Sequence, residues 1–365
     1  MNDAMSARLP AWSRRALACG LLLAASAGAS AAAFQDPLDT PPMATARAGS
    51  APLAGVALAG DRLVAVGRRG VVLLSDNAGA RWFQASVPLS SDLVAVHFPT
   101  AQSGWVVGHD GVILHSSDGG LHWRKQADGR TLARTMLDHY EKRAQTGQAG
   151  AEAWVELARR WLADGPIHPF FAVWFKDARE GFAGGAFGLL FHTRDGGQSW
   201  ETWFDRIDNP KGLHLYGIAG AQGDVLLAGE QGLLAVLEPG AARFRSLKSP
   251  YEGSLFGAAA RESASGASWL VYGMRGNAYL SDDKAATWRK LNVPTRGGLT
   301  AGDFDSEQGL LVTTQTGECL ASHDGGETFA RVKVAAPMPY FGMVSFGQRR
   351  LALVGMSGVR IEARP

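Results

Sequence analysis

Cysteine is almost absent from this chain. Cys19 and Cys319 are the only two in 365 residues, and Cys19 lies inside an apolar stretch near the N-terminus. A disulfide framework is thereby excluded for the body of the protein, whose stability has to come from packing. Net charge is equally thin. The whole chain carries +2, and Arg8, Arg14 and Arg15 against Asp3 account for that within the first 33 residues. The remainder is near neutral, so the basic field of a nucleic-acid binder is missing. The nine histidines form no H-x-x-x-H spacing and there is no C-x-x-C. His97, His115 and His192 lie in or beside strand-like runs and read as structural or surface residues. No G-x-S-x-G elbow, Walker loop or dinucleotide fingerprint occurs. The sequence therefore predicts no catalytic residue, no metal and no cofactor.

Long hydrophobic runs are also lacking, with one exception. "ALACGLLLAASAGASAAA" (residues 16–33) follows Arg14-Arg15 and ends in small residues. It is short for a membrane span and has the layout of a cleaved signal peptide, with cleavage expected after Ala33. Cys19 lies within the apolar core rather than after it, a poor place for lipid attachment. The expected destination is a bacterial periplasm.

Glycine and tryptophan, by contrast, are plentiful: 46 and 11 residues. They recur in a frame. Gly108–Trp123 reads "GHDGVILHSSDGGLHW"; Gly67–Trp82, Gly185–Trp200, Gly273–Trp288 and Thr314–Phe329 are relatives of it. Gly229–Phe244 keeps the frame without the Asp, and Gly355–Glu362 keeps only the first half. The second glycine of each unit falls at 70, 111, 188, 232, 276, 317 and 358, with spacings of 41, 77, 44, 44, 41 and 41 residues. A period near 40 containing several short β runs is the mark of a propeller blade. In the second unit, Asp92–Phe98 reads as the inner strand, followed by Gly104–Gly108, Gly111–Ser116 and an outer strand at Leu121–Gln126. The fold class is all-β: a seven-bladed β-propeller. The last unit lacks an outer strand, and the segment Ala44–Ala48, within residues 34–50, is expected to supply it and close the ring.

Five units carry [ST]-x-[DN]-x-[GA]-x-x-[WF]: Ser75, Asn77 and Trp82; Ser116, Asp118 and Trp123; Thr193, Asp195 and Trp200; Ser281, Asp283 and Trp288; Ser322, Asp324 and Phe329. Short side-chain oxygens at a turn accept bonds from nearby backbone N–H groups. An active site is built once, so an aspartate repeated in most blades reads as a turn residue.

These turns resemble the Asp-box, or bacterial neuraminidase repeat. Gly104–Trp123 and Gly181–Trp200 are similar, nearly residue for residue, to the repeat core of the photosystem II stability/assembly-factor family of propellers. The resemblance covers residues 51–363, with the fourth and seventh units degenerate. It implies a non-catalytic assembly factor for a membrane protein complex. The bacterial exported subgroup of that family, often linked to resistance-nodulation-division transporters, is the nearer likeness, through "FFAVWFKDAREGFAGGAFG", "DNPKGLHLYGIAG" and the helical interruption. Nothing in the sequence itself is photosynthetic.

The 77-residue spacing equals one blade plus an insertion, residues 128–166. Thr131–Thr146 and Ala151–Gly165 carry apolar residues at helical spacing, with a short connector between them, and predict a helical hairpin. It joins an outer strand to the next inner strand, a connection that shares a face with the G-x-x-G turns. That face is the candidate binding surface. It presents Arg68, Arg69, His109, Asp110, Glu230 and Arg275 from the turns, and Asp205, Arg206 and Tyr251 from the blade-joining loops. Trp154 and Trp161 on the helices serve either as glue holding the hairpin down or as a docking surface. A glycoside hydrolase is the alternative function, since Asp-box propellers include sialidases. It requires paired carboxylates. Asp110, Asp205, Asp208, Glu230 and Glu252 are available, but no pair is singled out, and the sialidase motif before the first blade is missing.

Overall fold

Seven runs that begin [LFY]-x-[GA] become seven inner strands: Leu53–Ala59, Leu93–His97, Phe170–Phe175, Leu215–Ala221, Leu255–Ser263, Leu299–Phe304 and Tyr340–Phe346. The computed structural model describes residues 34–263, 266–304 and 309–364. The chain divides into residues 1–36 and 37–365, and the second part is the propeller. The expected leader, residues 1–33 with its cleavage point, lies outside the described residues. No described helix is long and apolar enough to cross a membrane.

Each inner strand opens an antiparallel sheet whose strands follow one another in chain order, six sheets with four strands and the last with three. Each inner strand packs beside the next, and the first packs beside the last, so seven blades form a ring. Blade faces are buried on both sides, which is why the second and third strands are nearly continuous apolar runs. Between blades two and three, Trp105 stacks on Phe175 with ring centroids 3.6 Å apart, and Trp105 Nε1 donates to Gln126 at 3.1 Å. A buried aromatic of this kind contributes about 3 kcal/mol through its area alone.

The expected closing strand does not form. Residues 44–48 pair with no strand, and the seventh sheet keeps three strands, ending with Gly358–Ala363. The segment instead makes a 3₁₀ turn at Ala48–Ser50 that crosses over the start of that last strand, with the Gly49 carbonyl against Gly358 where a Cβ would collide. Pro41, Pro42 and Pro52 flank the segment and cannot donate to a ladder. Side-chain packing closes the ring: Leu63 of blade one buries with Phe346 and Ala352 of blade seven, and Ile361 fills the space over Gly79. The residues just before the segment act as a clip. Leu38 is buried among blades one and two, and Asp39 pairs with Lys125 and Arg130 at 3.0 Å each, at the base of the helical insertion.

The third-to-outer turns have one geometry in five blades. The Ser or Thr hydroxyl accepts the N–H four residues on, at 2.8–3.0 Å for Gly79, Gly120, Gly197, Ala285 and Gly326. The Asn or Asp oxygen accepts the N–H four residues beyond itself, at 2.8–3.0 Å for Arg81, His122, Ser199, Thr287 and Thr328. Each hydroxyl donates in turn to the Asn or Asp oxygen, as Ser116 does to Asp118 at 2.8 Å. The indoles of Trp82 and Trp123 donate to the Gly79 and Gly120 carbonyls. Burial pushes the Asp118 carboxyl up, but the His122 N–H, the His122 ring and the Ser116 hydroxyl outweigh it and hold the group at about 2. These turns also stitch blades together. Arg62 donates to the Gly119 carbonyl of blade two at 3.0 Å, Gln126 to Gly196 of blade three at 2.7 Å, and Arg289 to Gly325 of blade six at 2.6 Å.

The insertion is a helical hairpin, α1 (Gly129–Gln145) and α2 (Ala151–Asp164). Asp128 caps α1, accepting from the N–H groups of Arg130 and Thr131, while Thr131 bonds back to the Asp128 N–H. That reciprocal pair satisfies donors that the first turn of a helix leaves free. The inner faces, Leu132, Met136 and Tyr140 with Val155, Ala158 and Trp161, bury against blades two and three.

Candidate functional site

The G-x-x-G turns are built from backbone proximity. In all seven blades the N–H of the first x donates to the carbonyl of the residue preceding the inner strand, at 2.8–3.3 Å: Arg68, His109, Ala186, Glu230, Met274, Gln315 and Met356. At Gly108 that carbonyl lies where a Cβ would sit, and at Gly111 a Cβ would press on Gly129 at the base of α1. Gly111 also takes a φ of +64°. Both glycines are thus required by close approach, the second by a left-handed backbone as well.

In five of these turns the second x is not glycine but is also left-handed: Arg69, Asp110, Phe187, Gln231 and Arg275 have φ between 50° and 58°. An L-residue there costs about 1–2 kcal/mol. The strain holds five side chains of four chemical kinds outward on one face. His109 and Asp110 stand at the tip beside the hairpin base. Arg68 lies 3.9 Å from Asp92, whose carboxylate accepts the Arg69 N–H at 2.8 Å.

The other candidates divide into exposed and committed groups. Asp205 accepts from Tyr140 Oη at 2.9 Å and from Arg143 at 2.6 Å. Arg206 pairs with Glu201 at 2.6 Å and lies over the Trp203 ring at 4.4 Å. Glu230 accepts the His214 N–H at 3.2 Å, and Tyr251 donates to the Met274 carbonyl at 3.4 Å. Trp161 is buried against His168 and Phe204, so it offers a partner no surface; Trp154, half-buried between Tyr140 and Phe204, also packs the hairpin down. The two tryptophans are glue, because the helical face that carries them is the one turned to the blades.

A second feature of this face is an aromatic mouth on the central channel, which encloses about 520 Å³ between the inner strands. Every inner strand is irregular after its first residue, with a register shift against the second strand. The bulged residues are Ala54, Val94, Phe171, Tyr216, Phe256, Thr300 and Phe341, and all line the channel. A bulge re-aims its side chain, and here it produces a collar. The next position is Gly or Ala in every blade: Gly55, Ala95, Ala172, Gly217, Gly257, Ala301 and Gly342. Below the collar the strands approach too closely for more; a Cβ at Gly217 would lie 2.7 Å from the Ala258 nitrogen.

From the hairpin to this mouth the rings are continuous. Centroids run Trp161–His168 at 4.4 Å, His168–Phe187 at 5.8 Å, Phe187–His214 at 4.8 Å, His214–Tyr216 at 5.8 Å and Tyr216–Phe256 at 6.0 Å. His214 Nδ1 accepts the Phe187 N–H at 2.8 Å and fixes that step. Phe187 is 50% exposed and Met356 44%, with Met274 and Phe341 also exposed around the mouth. Sequence reasoning fixed on charged turn residues and passed over Phe171, Tyr216, Phe256 and Phe341. Their signal was the variable slot of [LFY]-x-[GA], repeated seven times.

Comparison with known proteins places this architecture. The family model described as Photosynthesis system II assembly factor YCF48 matches residues 74–156. The photosystem II assembly protein Ycf48 of Synechococcus sp. (strain JA-3-3Ab) is 25% identical over 307 residues, which is 77% of this chain and 88% of that one. The photosystem II assembly lipoprotein Ycf48 of Synechococcus sp. (strain CC9902) is 23% identical over 291 residues, 75% of this chain and 73% of its own. Among solved structures, YCF48 bound to a D1 peptide has a TM-score of 0.63 at 16% identity, covering 91% of this chain and 100% of that chain. YCF48 from Cyanidioschyzon merolae also has a TM-score of 0.63, at 15% identity, covering 87% of this chain and 97% of that one. At those identities the structural likeness speaks for the fold. The chain is a seven-bladed β-propeller that is similar in sequence and fold to photosystem II assembly proteins.

Proposed function

We propose that this protein is an exported, non-catalytic accessory factor that docks on a membrane protein complex through its G-x-x-G face. The observation that carries the reading is the asymmetry of the two faces. One is stitched by hydrogen-bonded Asp turns. The other holds strained side chains, exposed Phe187, Met274, Phe341 and Met356, and an aromatic path to the channel mouth. Exposed apolar patches of this kind mark interaction sites. The names of the relatives support the class of partner: they are photosystem II assembly proteins, and one solved relative holds a D1 peptide. In a non-photosynthetic bacterium the partner is a membrane transporter of the resistance-nodulation-division type or its periplasmic parts, as the exported subgroup suggests. The glycosidase alternative finds little support in the described carboxylates, since Asp205 is held by Arg143 and Tyr140, and Glu230 by the His214 N–H.

The test is crosslinking in the native envelope with identification of the captured complex. Wild type and an Asp76→Ala control on the opposite face capture the same membrane complex, whereas a Phe187→Ser/Met356→Ser variant loses it. Equal capture by all three, or turnover of aryl glycosides by the purified protein, would overturn the reading.

A further inference from the structure

Blade four departs from its neighbours at one place, the third-to-outer turn. Leu237 stands where five blades have Ser or Thr, and Pro239 where they have Asp or Asn. Neither position offers a hydroxyl or carboxylate to gather the turn's N–H groups. The turn closes instead through the Ala241 N–H on the Glu238 carbonyl at 3.0 Å, and Pro239 folds back over Gly223 of its own blade, 3.2 Å from the Cβ position there.

That change opens the interface. In intact turns the glycine of the turn seats on the preceding blade: Gly120 on Leu74 and Val64, Gly197 on Gln126, Gly326 on Leu291. In blade four the equivalent residue is Ala241, which lines a cleft of about 220 Å³ between blades three and four. Trp174, Phe182 and Trp203 wall it on one side, Val225 and Leu237 on the other. Trp174 is only half-buried, and its indole occupies the space that a side chain at Gly220 would need.

The rim sets the charge. Glu180 is engaged by His192 at 3.1 Å and lies 3.9 Å from Arg194, and Glu238 is engaged by Arg245 at 2.7 Å. Among the described residues no ion pair engages Lys176, which is exposed at the same rim. The cleft therefore combines an aromatic wall with an exposed ammonium at its mouth, Lys176, whose near acidic neighbour is Asp177 on the same turn. Since a cavity of about 150 Å³ holds a benzene ring, this one has room for a ring with a short arm.

We propose that this cleft binds a small aromatic carboxylate. Its ring lies against Trp174 between the two blades, and its carboxylate meets Lys176 and Arg194. The site lies on the Asp-turn face, opposite the docking face, and stands independently of it. The same chemistry is offered by a free aromatic acid and by a polypeptide ending in an aromatic residue.

The experiment is calorimetric titration of the full chain with indole-3-acetate, with tryptamine as the cationic counterpart on the same ring, and with the peptide Gly-Gly-Phe bearing a free carboxylate. Indole-3-acetate or the peptide binds saturably, and the tighter of the two names the source. Tryptamine binds at least about tenfold more weakly, and Lys176→Met costs a similar factor, as expected for one charge-assisted contact. A Leu237→Ser/Pro239→Asp/Ala241→Gly variant, which restores the turn and closes the cleft, abolishes binding while its melting temperature holds or rises. Absence of saturable binding by both acids, tryptamine binding as well as indole-3-acetate, or binding unchanged by both Lys176→Met and the restored turn would overturn the proposal.

Discussion

Tyr140 and Asp205 are joined by a 2.9 Å hydrogen bond that ties the helical insertion to the third blade. Arg143, one turn further along α1, reaches the other oxygen of the same carboxylate at 2.6 Å. Burial pushes the Asp205 carboxyl up, but Arg143 and Tyr140 outweigh it and hold the group below its ordinary 3.8. Asp205→Ala is expected to cost about 2 kcal/mol, the worth of bonds to a charged group. Hydrogen exchange is expected to quicken in α1 and α2 before it does in the blades. A double-mutant cycle with Arg143→Ala checks the origin, because strict additivity of the two losses would show that the pair is not coupled. The pH sign follows from the lowered pKa: this contribution is complete above 3.8 and is lost as pH falls through the folded value.

His97 makes the acid limit of the propeller visible from another direction. It is half-buried between blades two and three, where its Nδ1 accepts the Phe175 N–H at 3.1 Å, and desolvation lowers its pKa from 6.5 to about 4. Above pH 6.5 neither the folded nor the unfolded chain protonates this ring. Between 6.5 and 4 the unfolded chain binds the proton first, so stability falls with pH and levels off below 4. The full window is worth about 3 kcal/mol. Burial lowers His115 as well, also to about 4, with Arg124 adding to the effect. Urea midpoints measured from pH 7.5 to 4 are expected to fall, and His97→Gln to flatten the slope. A slope unchanged in that variant would assign the acid sensitivity elsewhere.

The ring of blades was legible because it rests on glycines whose reason is backbone proximity. Gly108 and its equivalents in five other blades lie against the carbonyl that precedes their inner strand, with Thr314 in that place in the sixth blade, so the spacing survives when everything between drifts. The hairpin was legible from its apolar spacing, and its first helix begins two residues before the expected Thr131 because Asp128 caps it. The channel collar was not legible. Phe171, Tyr216 and Phe256 owe their direction to a bulge, and a bulge breaks the alternation by which a strand's facing is read. The closing segment failed for a related reason. Counting strands foretold a vacancy beside Gly358–Ala363, but a count is silent on whether Ala44–Ala48, flanked by prolines, can run alongside rather than across.

Because packing rather than a shared strand closes the ring, the joint between blades seven and one is expected to be the first to open. Phe346 is buried there with Leu63 and Ala352. Phe346→Ala is expected to cost about 3–5 kcal/mol, the range for deleting a buried phenyl. Hydrogen exchange should then rise most in residues 340–363. Phe182→Ala, at the blade three–four interface, is the comparison. Uniform acceleration around the ring in the Phe346 variant would mean that closure is no weaker than the other joints.

Asp118 and Ser116 act as one unit, since the hydroxyl donates to the carboxylate while each accepts a different turn N–H. Either alanine substitution is expected to cost about 1–2 kcal/mol, in line with loss of a capping side chain. The double variant should cost less than the two together, because the first change already loosens the turn. With the Asp118 carboxyl held at about 2 against an ordinary 3.8, its contribution is present above 3.8 and fades as pH drops toward 2. Thermal melts of the three variants decide this, and full additivity would contradict a shared unit.

The left-handed side chains of the G-x-x-G face separate strain from recognition. Arg69, Gln231 and Arg275 sit at φ of 55°, 50° and 58°. Glycine there removes about 1–2 kcal/mol of strain and returns about 0.5–1 kcal/mol in chain entropy, for a net gain of about 0.5 kcal/mol. Arg275→Ala keeps the strain and removes only the side chain, so its stability stays near wild type. If these positions serve docking, both Arg275→Gly and Arg275→Ala weaken capture of the membrane complex, although one is more stable than wild type and the other is not. A glycine variant that melts lower than wild type would show the turn to be unstrained. Capture that follows stability rather than the presence of the guanidinium would show that Arg275 is retained for the turn and not for a partner.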